Sequence, residues 1–588
     1  MYMDKYEFRS YLSIIFIIIF SLSIISTSTS LIVHANNIQE YVIAWSDVGP
    51  PQPFTGYPFG PIFPVLTLMF DTLAWYSKNG IVPLLAESWN QLNSTTWIIK
   101  LRKGVMWQDG KPLTAEDVVF SINYTKYVNN NIIPIWWVNQ WINLVKSVKA
   151  INNYTVEITF NTTIPTDVVL MKIFTNMFII PKHIWENVSN PRSFTEAEAY
   201  IGTGPYKLVK YEPGVEYVFT ANDNYFLGKP IVQTLILKVV PTTQLIEYMM
   251  MGEVDVALFS SYYDAKPLLG NPMFNYTEFG AGLAYVLVFN LNKYPFNMTD
   301  FRKAIAYAIN YTAIYEKLGK AAAGWTSVGP NIVPPYSPYY NDSYSYNYSL
   351  DKAISILESL GYKYINGKLL DKNGNQLFVT LTVPDDPIAE TISLIVAHDL
   401  ENVGIGVTIK SIPSNLRTQI LSEGNFEIMI NIYGGLLSPY QWSFNVKGSV
   451  HYVPGYNSTK LLGIESKAFL SSYNERIKLL NEFQAIVAND VPIIVLFWPK
   501  FYWVYNSEVG IAGWFFDPKY EYGPPWILNK LVLIEGQQSM TNTTTLTTKG
   551  TTAIPSTSQS PSLSLIVPII GVVIVIIGFI AWRYIFKR

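Results

Sequence analysis

Cysteine is absent from all 588 residues. That removes disulfides, thiolate nucleophiles, zinc ribbons, iron–sulfur clusters and a lipid-modified cysteine anchor. Histidine is scarce. His34, His183, His398 and His451 are the full set, and no two fall at metal-ligand spacing. No metal site and no cofactor are therefore expected. Charge is thin as well: 14% of residues, against roughly 25% in average soluble proteins. The 41 basic residues nearly balance the 43 acidic ones, which excludes a generally basic nucleic-acid binder. What is plentiful is apolar surface (49%), with 16 Trp, 41 Tyr and 31 Phe to bury. Such a chain has the material for large cores and is not an acidic disordered polymer. Its length is several times the ~150 residues of one domain, so more than one folding unit is expected.

The two ends differ from the middle. Lys5 and Arg9 precede an apolar run from Tyr11 to Ile25, and Val33-His34-Ala35 supplies small residues for cleavage. This reads as a secretory signal over 1–35, with an uncleaved anchor as the alternative. At the other end, Leu563 to Trp582 is interrupted only by Ser564 and Pro568. Twenty helical residues at ~1.5 Å each match a ~30 Å hydrocarbon core. Arg583, Lys587 and Arg588 follow, so 583–588 is expected to stay on the cytoplasmic side. Between ectodomain and anchor, 14 of the 26 residues from 537 to 562 are Ser or Thr, with Pro555 and Pro561. That composition cannot build a core and reads as an extended stalk.

Asn-x-Ser/Thr occurs twelve times, at Asn93, Asn123, Asn153, Asn161, Asn187, Asn275, Asn297, Asn310, Asn341, Asn347, Asn457 and Asn542. In a secreted chain this density points to N-glycosylation, and with no lipid-bearing cysteine it points to an archaeal or eukaryotic surface. The low charge suits an acidic medium, where carboxylates are not reliably ionised.

Strand and helix signals alternate through the middle, which argues an α/β fold. Trp97, Ile99 and Leu101 share one face of a strand, Asp109-Gly110 marks a turn, and Thr114 with Asp117 opens a helix through a capping box. Phe301, Ala304, Ile305, Ala308 and Ile309 form an amphipathic helical stripe, and so do Leu350, Ala353, Ile354, Leu357 and Leu360. Asn366-Gly367 and Asn373-Gly374 flank a hairpin-like stretch. Residues 378–383 read as a strand, 387–402 as a helix and 407–409 as the next strand.

Several blocks resemble a known family. They are Leu85-Ala86-Glu87-Ser88-Trp89, the strand 96–102, and Gly104-Val105-Met106-Trp107-Gln108-Asp109-Gly110-Lys111-Pro112-Leu113-Thr114 running on to Ser121. Gly202-Thr203-Gly204-Pro205-Tyr206-Lys207, Phe301-Arg302-Lys303-Ala304-Ile305, Asp351-Lys352-Ala353 and Val491-Pro492-Ile493-Ile494 follow in order. Together they resemble the family 5 extracellular solute-binding proteins, receptors of ABC importers, over most of 40–535. The resemblance implies a two-lobed periplasmic-binding-protein-like fold with an extra subdomain in the first lobe. Lobe one would be 36–285 plus 496–536, with the extra subdomain about 60–195, and lobe two 286–495. It implies hinges near Phe289 and Asn290 and near Phe497 and Trp498, a small-molecule ligand between the lobes, and a separate permease and ATPase as partners. The chain itself has no G-x-x-x-x-G-K-[ST] loop.

Many peptide receptors of the family it resembles hold the ligand amine with an acid in an aromatic-Gly-x-Asp-Tyr-x-Asp-Pro segment of lobe two. The matching stretch is Tyr433-Gly434-Gly435-Leu436-Leu437-Ser438-Pro439, and no Asp or Glu occurs from 428 to 464. An unpaired buried ammonium would cost several kcal/mol. A sugar instead needs flat aromatics with hydroxyl and amide partners. Trp136, Trp137, Trp325, Tyr433, Tyr440 and Trp442 are the candidate ligand-binding residues. The bland alternative for each is core or interface packing. The expected ligand is thus an oligosaccharide or an oligopeptide, with the sugar preferred; nickel is disfavoured by the scarce histidine. A membrane-anchored surface glycosidase or peptidase is the competing class, but G-x-S-x-G and H-E-x-x-H are absent.

Overall fold

Long β-branched and aromatic runs need a sheet covered on both faces, and the chain builds one around a single strand. The computed structural model describes residues 38–509, apart from 55–61, 78–79, 134, 136–137, 139–140, 281–282, 319–322, 326–332, 335–336, 338, 435–443, 445–446 and 448–450. The expected signal, stalk and membrane helix lie outside these residues. Among the described residues no helix is long and apolar enough to cross a membrane.

The central strand is Ile493–Asn506. Its first part, 493–497, pairs antiparallel with 285–288 of the strand Leu283–Phe289. Its last part, 500–506, pairs antiparallel with Phe274–Gly280. On one side the sheet continues through Ile428–Gly434, Phe378–Pro384 and Gly406–Ile412. On the other it runs through Val256–Phe259, Ile38–Trp45, Val232–Val239, Glu216–Ala221 and Tyr206–Glu212. With the short strand Ala323–Trp325, which also pairs with the central one, twelve strands form one hydrogen-bonded sheet, and two lobes are built on its two ends.

Residue alternation decides which core each side chain enters. On Leu283–Phe289, Tyr285, Leu287 and Phe289 join one second-lobe core with the helices Thr299–Ala308 and Pro387–Asn402. Ala284, Val286 and Val288 join another on the opposite face, with the helices Thr459–Phe469 and Tyr473–Asp490. The first lobe has its own large core. It is shared with the four-stranded antiparallel sheet Ala86–Gln91, Thr96–Leu101, Thr155–Phe160 and Val145–Asn152. On Thr96–Leu101 the expected face is the buried one: Trp97, Ile99 and Leu101 point inward and Lys100 outward.

Two of the sequence blocks meet in space. Gln108 donates to the carbonyls of Gly204 (3.2 Å) and Tyr206 (2.7 Å) and accepts from the Gly202 N–H (3.2 Å). Gly204 N–H donates to the Met69 carbonyl at 2.7 Å. A Cβ on Gly204 would sit 2.4 Å from the Leu68 carbonyl oxygen, so only glycine allows this approach. Thr203 and Tyr225 both donate to the buried Asp71 carboxylate, at 2.9 and 3.2 Å. Asp117 accepts from the Thr114 N–H (2.9 Å) and, with its other oxygen, from the Lys182 N–H (3.0 Å). It closes the start of the helix Ala115–Asn131 and ties that helix to the start of the helix Lys182–Trp185. In the second lobe Arg302 plays the matching part. It donates to the carbonyls of Val491 (2.8 Å), Phe296 (2.6 Å) and Asp490, and so links the 301–309 block to the 491–494 block.

The hairpin expectation needs one adjustment. Asn366 and Gly367, both at positive φ, are the turn itself, between Lys363–Ile365 and Lys368–Leu370.

Candidate functional site

In open α/β sheets, ligands meet the carboxyl ends of the parallel strands. Here Phe378–Pro384 runs parallel to Gly406–Ile412 on one side and to Ile428–Gly434 on the other. All three end at the same edge, where the antiparallel strand Leu283–Phe289 begins opposite Gly434. That edge abuts the crossing between lobes, because Leu283 comes three positions after Gly280, the end of a first-lobe strand.

The residues at this edge are held by one another. Asp385 N–H donates to the Ile412 carbonyl (2.9 Å), and the Asp385 carboxylate accepts from the Ser414 N–H (2.5 Å). Two strand ends are thereby tied, and the helices Pro387–Asn402 and Arg417–Glu423 start a few residues beyond them. Asp386 caps the latter: one oxygen accepts from the Ala389 N–H (2.8 Å) and from the Tyr285 hydroxyl (3.0 Å). The other oxygen has no hydrogen bond among the described residues. Burial raises the Tyr285 hydroxyl pKa well above its ordinary value, with Asp386 next in effect and Asp264 of the first lobe adding to it. Arg417 is half-buried, and burial lowers its pKa, opposed by the charges of Tyr285 and Asp386. Among the described residues its guanidinium makes no hydrogen bond or ion pair. A carboxylate oxygen, a phenol and a guanidinium thus stand together at the strand ends, with hydrogen-bonding capacity unspent.

The first lobe approaches the same crossing through Tyr262–Ala265. Tyr262 packs against cores of both lobes, and the Tyr263 hydroxyl donates to the Lys317 carbonyl at 3.4 Å. Lys500, midway along the crossing strand, pairs with Glu278 at 2.8 Å.

The sequence candidates fall into three groups. Trp136, Trp137, Tyr440 and Trp442 lie outside the described residues. Trp325 ends the strand Ala323–Trp325, whose backbone pairs with Trp498. Tyr433 is fully buried. Alternation puts it on the same face as Met429, in the second-lobe core, and its hydroxyl donates to the His451 carbonyl at 3.2 Å. Among the hinge candidates, Phe497 and Trp498 stand at the crossing and are buried in the two second-lobe cores. Phe289 and Asn290 lie at the far end of their strand, inside the second lobe. The Asn290 amide donates to the carbonyls of Gly424 (2.9 Å) and Phe426 (3.1 Å), fastening two segments of that lobe. First-lobe pairing ends at Gly280 and second-lobe pairing begins at Leu283, and along the long strand the change falls between Trp498 and Lys500. Sequence reading missed Tyr285, Asp386 and Arg417. The available signal was positional: Asp386-Pro387 is a helix start directly after a strand.

Two lobes built on one crossed sheet, with polar groups gathered at the strand ends beside the crossing, define a two-lobed α/β binding protein. The chain belongs to the bacterial extracellular solute-binding proteins, family 5, whose model matches residues 80–449, more than half its length. It is a substrate-binding receptor of the ABC-importer type, in a family of binding proteins rather than enzymes. Relatives include the nickel-binding periplasmic protein of Escherichia coli, 27% identical over 402 residues, covering 65% of this chain and 72% of that protein. Oligopeptide-binding protein AppA of Bacillus subtilis is 24% identical over 455 residues, covering 74% and 81%. Among solved structures, AppA of Bacillus subtilis in complex with a nonapeptide has a TM-score of 0.66 at 21% identity, covering 84% of this chain and 99% of that one. The periplasmic EDTA-binding protein EppA has a TM-score of 0.71 at 18% identity, covering 84% and 96%. These two structures share the fold.

Proposed function

We propose that this protein is a cell-surface receptor that captures an oligosaccharide between its lobes and hands it unaltered to a membrane permease served by a separate ATPase. Residues 563–582 tether it from the outer face and 537–562 act as the stalk, on an archaeal-type surface where some of the exposed sequons carry glycans. The ligand lies along the strand-end edge, within reach of Tyr285, Asp386 and Arg417, with Trp136, Trp137, Trp325, Tyr440 and Trp442 as candidate stacking partners. Closure bends the strands where they cross, beside Phe497 and Trp498.

One observation carries the preference for sugar: no acid occurs between 428 and 464, where a peptide amine would need one. The unspent carboxylate oxygen of Asp386 and the guanidinium of Arg417 suit neighbouring hydroxyls, which can donate to one and accept from the other. An oligopeptide is the second reading. It is favoured by the nonapeptide bound to AppA and by the fit of a guanidinium to a terminal carboxylate.

Thermal-shift screening of the full chain in detergent, against cello-, malto- and xylo-oligosaccharides and against mixed peptides, separates the two. A ligand that binds only the native state raises the melting temperature. A rise with oligosaccharides is expected; a rise with peptides alone rejects the sugar reading. Mass spectrometry of the recovered oligosaccharide should show it uncut, and shortened products would instead point to a surface glycosidase.

A further inference from the structure

The lobes touch at a second place, apart from the crossing strands. In the first lobe, Thr166–Val168 continues into the wide-turned helical segment Val169–Phe174. Val168, Val169, Ile173 and Phe174 sink into the first-lobe core, with Phe174 edge-on to Trp89 (5.7 Å) and Trp97 (5.9 Å). Asp167 and Met171 are four residues apart and share a different face. Met171 packs against the second-lobe core. Asp167 accepts from Arg476 of the second lobe at 2.7 Å.

The second lobe answers with the two helices Thr459–Phe469 and Tyr473–Asp490. Phe469, at the end of the first, is buried among first-lobe core residues. Arg476, in the second, has no exposed side-chain surface, while Asp167 keeps 33% of its own. The guanidinium also donates to the carbonyls of Ala468 (3.4 Å), in the last turn of the preceding helix, and of Ser471 (3.0 Å), in the link that follows it. Those two bonds lie within the second lobe and survive any movement between lobes. The bond to Asp167 and the seating of Phe469 and Met171 exist only while the lobes touch.

We infer that Asp167, Met171, Phe469 and Arg476 form a clasp that sets the balance between the open and closed receptor before any solute arrives. Arg476 is held in place by its own lobe whether the clasp is open or shut, so its position does not depend on Asp167. Opening breaks the Asp167–Arg476 ion pair and exposes two apolar side chains. Both changes disfavour the open form. The affinity seen for any solute scales with the fraction of receptor already competent to close, so the clasp is a positioning element for capture. This needs only the two-lobed receptor and does not depend on whether the solute is a sugar.

The absence of cysteine makes the test direct. Lys149→Cys in the first lobe and Lys478→Cys in the second place spin labels at exposed positions on the full chain. Inter-label distances are then measured by pulsed electron resonance with no solute added. The parent protein is expected to show mainly the short distance. Asp167→Asn, at a partly exposed position, should move the ratio toward the long distance by about fivefold or more, and Asp167→Glu should restore most of it. Met171→Glu should open the lobes by the independent apolar route. Asn and Glu variants that both match the parent distances would overturn the inference. So would an Asn variant with a lowered melting temperature and unmoved distances, because a merely structural ion pair behaves in that way.

Discussion

The knot around Gly204 in the first lobe and the edge around Arg417 in the second are both polar and both partly buried. They differ in who satisfies the polar groups. At the knot, Gln108, Asp71, Asp117 and Thr203 spend their hydrogen bonds on protein partners. At the edge, one Asp386 oxygen and the whole Arg417 guanidinium have no hydrogen bond among the described residues. A buried polar group with a protein partner is scaffold, and one kept half-buried without a partner is available to a solute. The first kind of residue should matter for stability and the second for binding.

The largest effect that could break this comparison is at Gly204. Gly204→Ala puts a Cβ 2.4 Å from a backbone oxygen that cannot swing away. A loss of about 3 kcal/mol or more is expected, as for overpacking against fixed backbone. Urea unfolding measures it, and a midpoint equal to the parent's would remove the knot from the scaffold. Asp117→Ala comes next. It strands the N–H groups of Thr114 and Lys182, at a cost of about 2 kcal/mol. Asp117→Asn should recover part of that, and an Ala variant as stable as the parent would show that water replaces the carboxylate.

Acid acts on both kinds of carboxylate with opposite signs. Burial raises the pKa of Asp255 and of Asp399, outweighing the N–H donors at Val42 (2.8 Å) and Asn310 (2.7 Å). A carboxyl raised above its unfolded value of about 3.9 adds stability as pH falls through the folded pKa. Asp47 is the reverse. Burial alone would raise its pKa, but the N–H groups of Gly49 and Gly214 and the hydroxyls of Tyr211 and Tyr217 prevail and lower it. Its contribution is present above about 3.9 and is lost as pH falls through the lowered folded value. The melting temperature should therefore rise from neutral into mild acid and fall below about pH 4. Asp47→Asn should weaken the acid-side fall, and Asp399→Asn should flatten the rise. A monotonic profile through both regions would contradict these assignments.

The scaffold was largely legible in the sequence because it rests on local rules. Thr114-x-x-Asp117, the Trp97/Ile99/Leu101 alternation and the 301–309 stripe are each visible within a dozen residues. The reason Gly202-Thr203-Gly204 pairs with Gln108 is not local; it appears only when residues 68–72 are laid against both. The edge was less legible for the same reason. Tyr285, Asp386 and Arg417 are separated by about a hundred residues and by thirty-one, and they meet because three strands end together. Aromatic residue type pointed to Tyr433, but strand parity decides its environment and turns it into the core. The change of strand partner between Gly280 and Leu283 carries no motif of its own, because sequence motifs mark where a strand ends and not where its partner changes lobes.

The smallest effect expected on stability is the most informative. Arg417→Met removes a half-buried charge whose guanidinium has no hydrogen-bond partner among the described residues, and Met keeps most of the apolar stem. Stability should stay within about 0.5 kcal/mol of the parent, as for substitutions outside any satisfied network. The thermal shift with whichever solute binds should nonetheless disappear, and Asp386→Asn should reduce it while costing more stability through the weakened helix cap. A comparison with Arg302→Met makes the contrast quantitative. Arg302 is spent on three carbonyls, so its loss should lower the melting temperature and leave any solute shift intact in the protein that stays folded. If Arg417→Met instead melts early and still responds to solute, the guanidinium belongs to the scaffold, and the distinction between satisfied and unsatisfied polar groups does not locate the site in this receptor.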